Sequence, residues 1–296
     1  MGQAALAAAV AAGLPKTLSA ATAPPADLVL VQGSPAAAVR KAVEAMGGMK
    51  RFVKPGQKVV IKPNMSCATG VETGANTHPE TVAETARLAA EAGAQQILIV
   101  DYPLRRPEVC LERSGILAAC RGIPRTEVRL FTEEKFFEEV PVPQGKFLGR
   151  VKVLKPLLEA DVFINLPTAK THSAAGVSLG LKNLMGLIWD RNAFHTRFDL
   201  GRAIADLATA LKPHLTLLDA SRALVSGGPG GPGKVVALGA LVAGVRPLEV
   251  DALGVTLTPW YNRELKPEQI SHLQAAAALG LGKLDPAQFR VTRLQA

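Results

Sequence analysis

Cysteines are scarce in this sequence, and their number excludes several kinds of site. The 296 residues contain three cysteines, Cys67, Cys110 and Cys120, and none of them forms a CxxC pair. A cysteine-ligated iron–sulfur cluster or a structural zinc site normally takes four protein ligands, so neither is predicted from this chain alone. An odd number of cysteines in a long chain also argues against a disulfide framework.

Features of nucleic-acid-binding and membrane proteins are equally sparse. Aromatic residues make up 4% of the chain, which is too few for platforms that stack single-stranded nucleic acid. No basic run of five or more residues occurs, and no segment reaches about 18 apolar residues without a charge. We therefore expect no nucleic-acid partner and no transmembrane helix. The excess of 34 Lys and Arg over 25 Asp and Glu is typical of general solubility or of an anionic ligand.

Residues 1–26 form an apolar lead-in that resembles the end of an export signal. Up to Gly13 the segment is almost entirely Ala, Val and Leu, and small residues follow Pro15 and Lys16. An export signal also needs a basic region before its apolar part, and none precedes it here. We predict a remnant twin-arginine export signal, which implies a periplasmic or cell-envelope location. The alternative is a native lead-in to a cytoplasmic protein.

Strand and helix patterns alternate over residues 27–296, which predicts a single α/β domain. The largely apolar segment 161–166 is typical of a strand that is buried on both faces of a parallel sheet. We expect a mainly parallel sheet with helices on both faces, with two lobes around a cleft as one option. Segments 107–122, 176–188 and 266–281 each predict one helix. Segment 133–149 predicts a hairpin or a lid.

Polar residues follow four separate strands of this predicted sheet. Ligands of parallel α/β sheets bind at the carboxyl ends of the strands, so we expect a functional cleft there. The candidate ligand-binding residues are Lys62, Asn64, His78, Asn165, Lys170, Asn183 and Asp219.

The segment 165–186 carries the strongest signal for chemistry. Lys170 and His172 are expected on an exposed turn, beside free N–H groups at a helix start that could bind an anion. Lys182 lies in an otherwise apolar helix, where it must snorkel, pair with an acid or face a polar cleft. His172, Lys182 and the nearby His195 are the candidate catalytic residues. Asp190 and Asp199 flank His195 and would orient it or bind a cation.

The segment 227–233 consists of glycines and two prolines. It lacks the Lys-Ser/Thr pair of a Walker loop, and proline removes the N–H donors that such a loop uses. We predict a tight structural turn, with a mobile wall of the cleft as the alternative.

Several short motifs together resemble the family catalogued as domain of unknown function 362. They are Val-Ile-Lys-Pro-Asn64, Thr-His-Pro-Glu80, Lys170-Thr-His172, Leu-Lys-Asn-Leu-Met-Gly186 and Gly-Gly-Pro-Gly230. Many members resemble exported proteins with a twin-arginine signal, and others carry a ferredoxin-like iron–sulfur module. The resemblance thus implies an envelope location and, because this chain lacks the module, an iron–sulfur protein as one option for a partner.

A second resemblance is to the nickel-pincer lactate racemases. His172, Lys182 and His195 are similar in spacing and order to residues of that family. In the racemases the lysine tethers a nicotinate-derived nickel cofactor, and histidines act as metal ligand and as acid/base groups. The resemblance implies a metal-containing cofactor as one option, and the rest of the racemase signature is missing here.

Three functional hypotheses follow from the sequence. The first is an enzyme or cofactor-binding protein that acts on a small anionic ligand, with His172 and His195 as acid/base groups or metal ligands. The second is a non-catalytic envelope protein that uses the same cleft for capture. The third is a partner subunit that docks an iron–sulfur protein.

Overall fold

A central sheet flanked by helices organises the computed structural model, which describes residues 27–104 and 106–296. The strands are β1 (Leu28–Gln32), β2 (Lys58–Pro63), β3 (Gln96–Asp101), β4 (Thr126–Leu130), β5 (Phe137–Pro141), β6 (Arg150–Leu154), β7 (Val162–Leu166), β8 (Thr168–His172), β9 (Gly176–Ser178), β10 (Leu215–Leu224), β11 (Val235–Gly244) and β12 (Val291–Gln295). The helices are α1 (Pro35–Ala45), α2 (Pro79–Glu91), α3 (Pro107–Ser114), α4 (Ile116–Ala119), α5 (Lys155–Leu158), α6 (Gly180–Asn183), α7 (Arg191–Thr196), α8 (Leu200–Ala210), α9 (Pro247–Val255) and α10 (Ser271–Ala278). The predicted lead-in at residues 1–26 lies outside this described part.

The main sheet is mostly parallel, as the sequence predicts. Its strand order is β12-β1-β11-β10-β7-β2-β3-β4, and β8 pairs with β10 and β9 beside this path. The strand β11 runs antiparallel to β1 and β10, while β10, β7, β2, β3 and β4 run parallel to their neighbours in that order. The carboxyl ends of β7, β2 and β3 therefore meet at one edge of the sheet.

Helices cover both faces of the sheet, because the central strands are apolar on both sides. Val60 and Ile61 are successive residues of β2, and they belong to two different apolar cores. One core takes in residues of α1, α2 and α4, including Val39 and Val82. The other takes in residues of α8, α9 and α10, including Leu253. This arrangement confirms the predicted fold class. The treatment of residues 27–296 as one domain stays a prediction.

The predicted helix over residues 176–188 is wrong in its first part. Gly176–Ser178 is the strand β9, which pairs with β8 in a tight antiparallel hairpin. The positive φ of 74° at Gly176 is costly for residues with a side chain, and it turns the chain into this hairpin. The helix α6 begins at Gly180 and passes into a 3-10 turn over Leu184–Leu187.

Lys170 and His172 do not lie on an exposed turn, contrary to the sequence-based expectation. Both belong to β8, which pairs with β10 on one side and with β9 on the other. Lys170 is 2% exposed and His172 is 7% exposed. The polar pattern Thr-Ala-Lys-Thr-His does not predict a buried strand. It forms one because the side chains of Lys170 and His172 face a cavity instead of solvent.

Three other segments differ from their predictions or refine them. The helix predicted over residues 107–122 is interrupted at Gly115, which has a φ of 72° and separates α3 from α4. The terminal helix is shorter than predicted, and β12, which no pattern indicated, pairs parallel with β1. Segment 133–149 contains β5, which pairs antiparallel with β6, directly after the segment, as a two-stranded sheet. Within the described residues, no helix is long and apolar enough to cross a membrane.

Candidate functional site

A cavity of about 550 Å³ opens at the carboxyl ends of β2 and β3. This volume lies within the range of roughly 300–1,000 Å³ that is usual for small-molecule sites. Seven of the ten candidate residues from the sequence line the cavity: Lys62, Asn64, Lys170, His172, Lys182, Asn183 and His195. The sheet edge at which the sequence places a cleft is thus the edge at which a cavity lies.

Asn165 lies one layer behind the cavity wall. Its side-chain amide donates to the carbonyl of Gly180 at 3.0 Å, and its Oδ1 accepts from Nδ2 of Asn183 at 2.9 Å. Asn183 also donates to the backbone carbonyl of Lys62 at 3.0 Å. Asn165 therefore links β7 to α6 and fixes the orientation of Asn183, which does line the cavity.

His78 and Asp219 also lie outside the cavity lining. The backbone N–H of His78 donates to Asp219 Oδ2 at 2.6 Å, and its Nδ1 caps α2 by accepting from the Glu80 N–H at 3.2 Å. Asp219 further accepts from Ser221 Oγ at 2.6 Å and forms an ion pair with Arg222 at 3.4 Å. These bonds hold the start of α2 against β10. A ligand-binding role for either residue stays a prediction.

Lys62 is fully buried and makes an ion pair with Asp101. Its Nζ lies 2.9 Å from Asp101 Oδ1, 2.6 Å from Asn183 Oδ1 and 2.7 Å from the carbonyl of Pro63. These partners take all three donors of the ammonium group, so Lys62 offers a ligand its charge and no free N–H. Burial lowers the pKa of Lys62 to about 8, and the charge of Asp101 opposes that shift.

Gly186 makes room for this ion pair. A Cβ at that position would overlap Lys62 Nζ and Asp101 Oδ1. The glycine that ends the Leu-Lys-Asn-Leu-Met-Gly motif is therefore required by the close approach of two buried charges.

Lys170 faces the cavity from β8 with fewer partners. Its Nζ donates to the carbonyl of Ala75 at 2.6 Å, and no carboxylate among the described residues forms an ion pair with it. Two of its three donors therefore remain for a ligand.

Lys182 lies on α6, and its amine has neither a hydrogen bond nor an ion pair within the described part of the chain. The side chain is 9% exposed and lines the cavity. Burial lowers its pKa to about 7, and the positive charges of Lys170, Arg191 and Lys62 lower it further. Of the three environments that the sequence allows for this lysine, the structure shows a polar cavity.

The start of α6 is not free to bind an external anion. The carboxylate of Asp251, on α9, accepts from the N–H of Gly180 at 2.6 Å and from the N–H of Leu181 at 2.8 Å. The anion site expected at this helix start is therefore filled by a side chain of the protein itself, which holds Lys182 in place.

His172 and His195 form a stacked pair on the cavity wall. Their ring centroids are 5.6 Å apart, and the rings are nearly parallel at 7°. Nδ1 of His172 accepts from the N–H groups of Ala174 and Ala175 at 3.2 and 3.3 Å, which leaves the proton of the neutral ring on Nε2. Burial and the charge of Lys182 lower the pKa of His172 to about 3, so the ring is neutral at pH 7.

His195 is the more exposed ring of the pair and lies on α7. Burial, Lys182 and Arg191 lower its pKa as well. Asp190 and Asp199 cap two helices by accepting from the N–H groups of Ala193 at 3.1 Å and Arg202 at 3.0 Å. Asp190 thereby positions the helix that carries His195, in partial agreement with the role expected from the sequence.

Arg191 and its aromatic neighbours form a wall that sequence reasoning missed. The guanidinium donates to the carbonyls of Tyr102 at 2.9 Å and Pro103 at 3.0 Å, and its carbon lies 3.9 Å from the Tyr102 ring centroid. Tyr102 in turn stacks on Trp189 at 5.6 Å. The signal in the sequence was Trp-Asp-Arg directly after an apolar segment, but α7 is too short to show a helical period.

The glycine–proline segment 227–233 packs against β8. The N–H of Gly228 donates to Thr171 Oγ1 at 3.0 Å, and a Cβ on this glycine would overlap the Thr171 carbonyl. Pro229 lines the cavity. The segment is therefore a close-packed turn that contributes one residue to the cavity wall.

His272, on α10, is fully buried behind the site. Neither of its ring nitrogens has a hydrogen-bond partner among the described residues, and burial with the charge of Lys182 lowers its pKa to about 3. A folded-state pKa below the ordinary value near 6.5 means that the folded protein binds fewer protons than the unfolded chain. Titration of this group therefore leaves the free energy of unfolding unchanged above about pH 6.5. It lowers the free energy of unfolding as the pH falls toward 3, because the unfolded chain takes up a proton that the folded protein does not.

We expect His272→Leu to stabilise the protein and to make it less sensitive to acid. At pH 7 the substitution removes two buried, unsatisfied polar atoms, a gain of roughly 1–3 kcal/mol. At pH 4 the gain should be larger, because Leu has no proton to take up on unfolding. Urea unfolding of both proteins at pH 7, 5 and 4 measures this, and a variant that is less stable at pH 7 would contradict it.

The fold and the site together define the class of this protein: an α/β protein with a basic cavity at the carboxyl ends of parallel strands. A family model described as "Domain of unknown function (DUF362)" matches residues 59–256. The chain belongs to this family, as its motifs predict. A thylakoid-associated protein of Synechocystis sp. (strain PCC 6803) is 31% identical over 265 residues, which cover 84% of this chain and 76% of that protein.

Among solved structures, the lactate racemase apoprotein from Thermoanaerobacterium thermosaccharolyticum is similar in fold. The TM-score is 0.50 at 14% sequence identity, over 77% of this chain and 57% of the racemase chain. The chain thus spans little more than half the length of the racemase. At this identity the likeness shows the fold alone, and at that level it confirms the resemblance seen in the sequence.

The donor set of the cavity does not fit a metal held by protein side chains alone. Within residues 27–104 and 106–296, no group of three or more His, Cys, Asp or Glu side chains is placed to hold a metal ion. Catalytic zinc sites, for comparison, usually use three protein ligands. His172 and His195 could supply two, and Nδ1 of His172 is already occupied by backbone N–H groups.

Proposed function

We propose that this protein is an enzyme that binds a small organic anion in the cavity, with Lys170, Lys182 and Arg191 as its cationic partners. Asn64 and Asn183 would supply hydrogen bonds, and His172 would donate from Nε2. Lys62 also lines the cavity, but its ammonium group is paired with Asp101 and has no free donor.

A surplus of buried positive charge is the observation that supports this proposal. Among the described residues, four cationic side chains line the cavity against two carboxylates, Asp101 and Asp190. Asp101 is paired with Lys62, and Asp190 caps α7. Lys170 and Lys182 are nine-tenths buried or more, and neither has a carboxylate partner in the described part of the chain. Burying unpaired charges is costly, so such an arrangement is typical of a site that an anion completes.

Displaced pKa values favour an enzyme over a protein that only captures its ligand. The pKa of Lys182 is lowered to about 7 and that of His172 to about 3, and both groups line one cavity. Groups with strongly shifted pKa values in a cleft are candidates for proton transfer or nucleophilic attack. Turnover would separate this function from the alternative of a non-catalytic envelope binding protein.

We expect Lys182→Met to keep the fold and to weaken anion binding. The substitution preserves length and apolar packing, so stability should hold or rise. Binding should lose a charge-assisted hydrogen bond of roughly 1.5–3 kcal/mol. That corresponds to about a ten- to hundred-fold higher Kd.

His172→Ala, which removes a neutral donor, should raise the Kd by about tenfold or less. Calorimetric titration with phosphate and sulfate measures both.

Lys283→Met is the matched control for this experiment. Lys283 is exposed and does not line the cavity, so its loss should leave the Kd unchanged. Unchanged anion binding in Lys182→Met, together with a large loss of stability, would show that the lysine is structural and would overturn the proposed function.

The location proposed for this protein is the cell envelope. The apolar lead-in supports it, and a thylakoid-associated relative is consistent with a membrane-bounded compartment. Fractionation of the host into cytoplasm, periplasm and membranes tests it. The hypothesis of an iron–sulfur protein as partner stays a prediction, and co-purification of such a protein from the host would support it.

A further inference from the structure

We propose that Lys182 is a nucleophilic amine that attacks the carbonyl carbon of a 2-oxo acid and forms an imine with it. This proposal rests on the anion-binding function proposed above. The ligand class is thereby narrowed from any small anion to one that carries a carbonyl group next to a carboxylate.

The surroundings of Lys182 favour a reactive amine over a fixed structural charge. Lys62 and Lys170 each have a strong partner, at 2.9 Å from Asp101 and at 2.6 Å from the Ala75 carbonyl. Lys182 has no such partner in the described residues, although it is nine-tenths buried and lines the same cavity. Without an acceptor or a carboxylate to stabilise its protonated form, the amine loses its proton more readily, and no donor among the described residues occupies its lone pair.

Burial, together with the neighbouring positive charges, lowers the pKa of Lys182 to about 7 and keeps part of this amine in the neutral, nucleophilic form at pH 7. A lysine that is desolvated and lies next to other cationic groups is a known arrangement for attack on carbonyl carbon. The titratable and charged groups around Lys182 are Lys62 on β2, Lys170 and His172 on β8, Arg191 and His195 on α7, Asp251 on α9 and His272 on α10. Asp101 and Asp190 also line the cavity, and all three carboxylates have other partners. Asp101 pairs with Lys62, Asp190 caps α7, and Asp251 is bonded to the backbone of α6, so none of these three pairs with the amine.

A carboxylate beside the carbonyl group matches the other cations of the cavity. Lys170 has two free donors, and Arg191 is held in a fixed orientation by two backbone carbonyls and the Tyr102 ring. These groups would bind the carboxylate, while Nε2–H of His172 would donate to the carbonyl oxygen. A neutral aldehyde or ketone would lack the carboxylate contacts and should react poorly.

The reaction balances without any further reagent. The lone pair of neutral Lys182 Nζ forms a bond to the carbonyl carbon, and the carbonyl π electrons move to the oxygen. One proton of the amine passes to that oxygen, which gives a carbinolamine. The second proton leaves with the hydroxyl group as water, and a C=N double bond remains.

Reductive trapping of the full chain tests this proposal. The protein is incubated at pH 7 with pyruvate or glyoxylate and cyanoborohydride, and the modified lysines are identified by peptide mass spectrometry. The adduct should form on Lys182 in preference to surface lysines, because an amine with a pKa near 7 has about a thousandfold larger neutral fraction than an ordinary lysine. Pyruvamide, which lacks the carboxylate, should give much less adduct.

Two variants and a binding assay make the outcome decisive. Lys182→Met and Lys182→Arg should lose the adduct, and Lys283→Met should keep it. If phosphate binds but Lys182 forms no adduct with either oxo acid, or reacts no faster than exposed lysines, the imine proposal fails and the anion-binding function stands. If neither phosphate nor oxo acid binds, both fail.

Discussion

Lys62→Met is expected to lower the free energy of unfolding by about 3–5 kcal/mol, the usual cost of removing one partner of a buried ion pair. Lys62 and Asp101 are 1% and 2% exposed, and their atoms lie 2.9 Å apart. Met fills the space of the lysine but leaves the Asp101 carboxylate buried, with backbone N–H groups of Met65 and Tyr102 as its remaining donors. Denaturant unfolding at pH 7 measures the loss.

A double variant separates the ion pair from general packing effects. Lys62→Met combined with Asp101→Asn removes both charges, so it should recover a large part of the stability that Lys62→Met loses. Lys135→Met is the exposed control, since its ion pair with Glu133 lies in solvent and should be worth less than about 1 kcal/mol. A loss in Lys62→Met no larger than in this control would show that the buried pair does not stabilise the fold.

Asp251→Ala should destabilise the protein by roughly 2–6 kcal/mol, because it leaves two buried N–H groups without an acceptor. The carboxylate of Asp251 caps α6 from inside the protein, with both oxygens bonded to the backbone of Gly180 and Leu181. Burial raises its pKa to about 7, while the two backbone hydrogen bonds favour the charged form. Thermal unfolding and phosphate titration together measure the effect, since a displaced α6 would also move Lys182.

The exposed cap of α8 provides the comparison for Asp251. Asp199 accepts from the N–H of Arg202 at 3.0 Å in an exposed position. Asp199→Ala should therefore cost about 1 kcal/mol, the usual value for an N-cap, and should leave anion binding unchanged. Equal losses in the two variants would contradict the role assigned to Asp251.

The sheet could be predicted from the sequence because its strands bear a pattern that local residues determine. The apolar segments that became β2, β3 and β7 are short and bounded by turn residues. By contrast, β8 could not be recognised, since its Lys170 and His172 face a cavity that only the folded chain creates. A polar strand is indistinguishable from a loop until the partner strands are known.

The sequence predicted many of the residues that line the cavity, but not which of them pair with each other. Strand-end position indicated Lys62 and Lys170, and an otherwise apolar helix indicated Lys182. The sequence does not show that Asp101 pairs with Lys62, or that no carboxylate among the described residues pairs with Lys182. That difference depends on contacts between residues far apart in the chain. Asp251 gave no signal for the same reason, as it lies 71 residues from the Gly180 N–H that it caps.

The stack of Tyr102 on Trp189 places one tryptophan in the cavity wall, where its fluorescence depends on what the cavity holds. The chain has two tryptophans, and Trp260 is fully buried with its indole N–H bonded to the Val255 carbonyl at 2.8 Å. Trp189 is half-buried in the cavity wall, with Tyr102 between it and the guanidinium of Arg191. A charged occupant of the cavity therefore changes the electric field at the Trp189 indole, while the buried Trp260 indole serves as an internal reference. The native fluorescence of the protein thus reports occupancy of the cavity without any added dye.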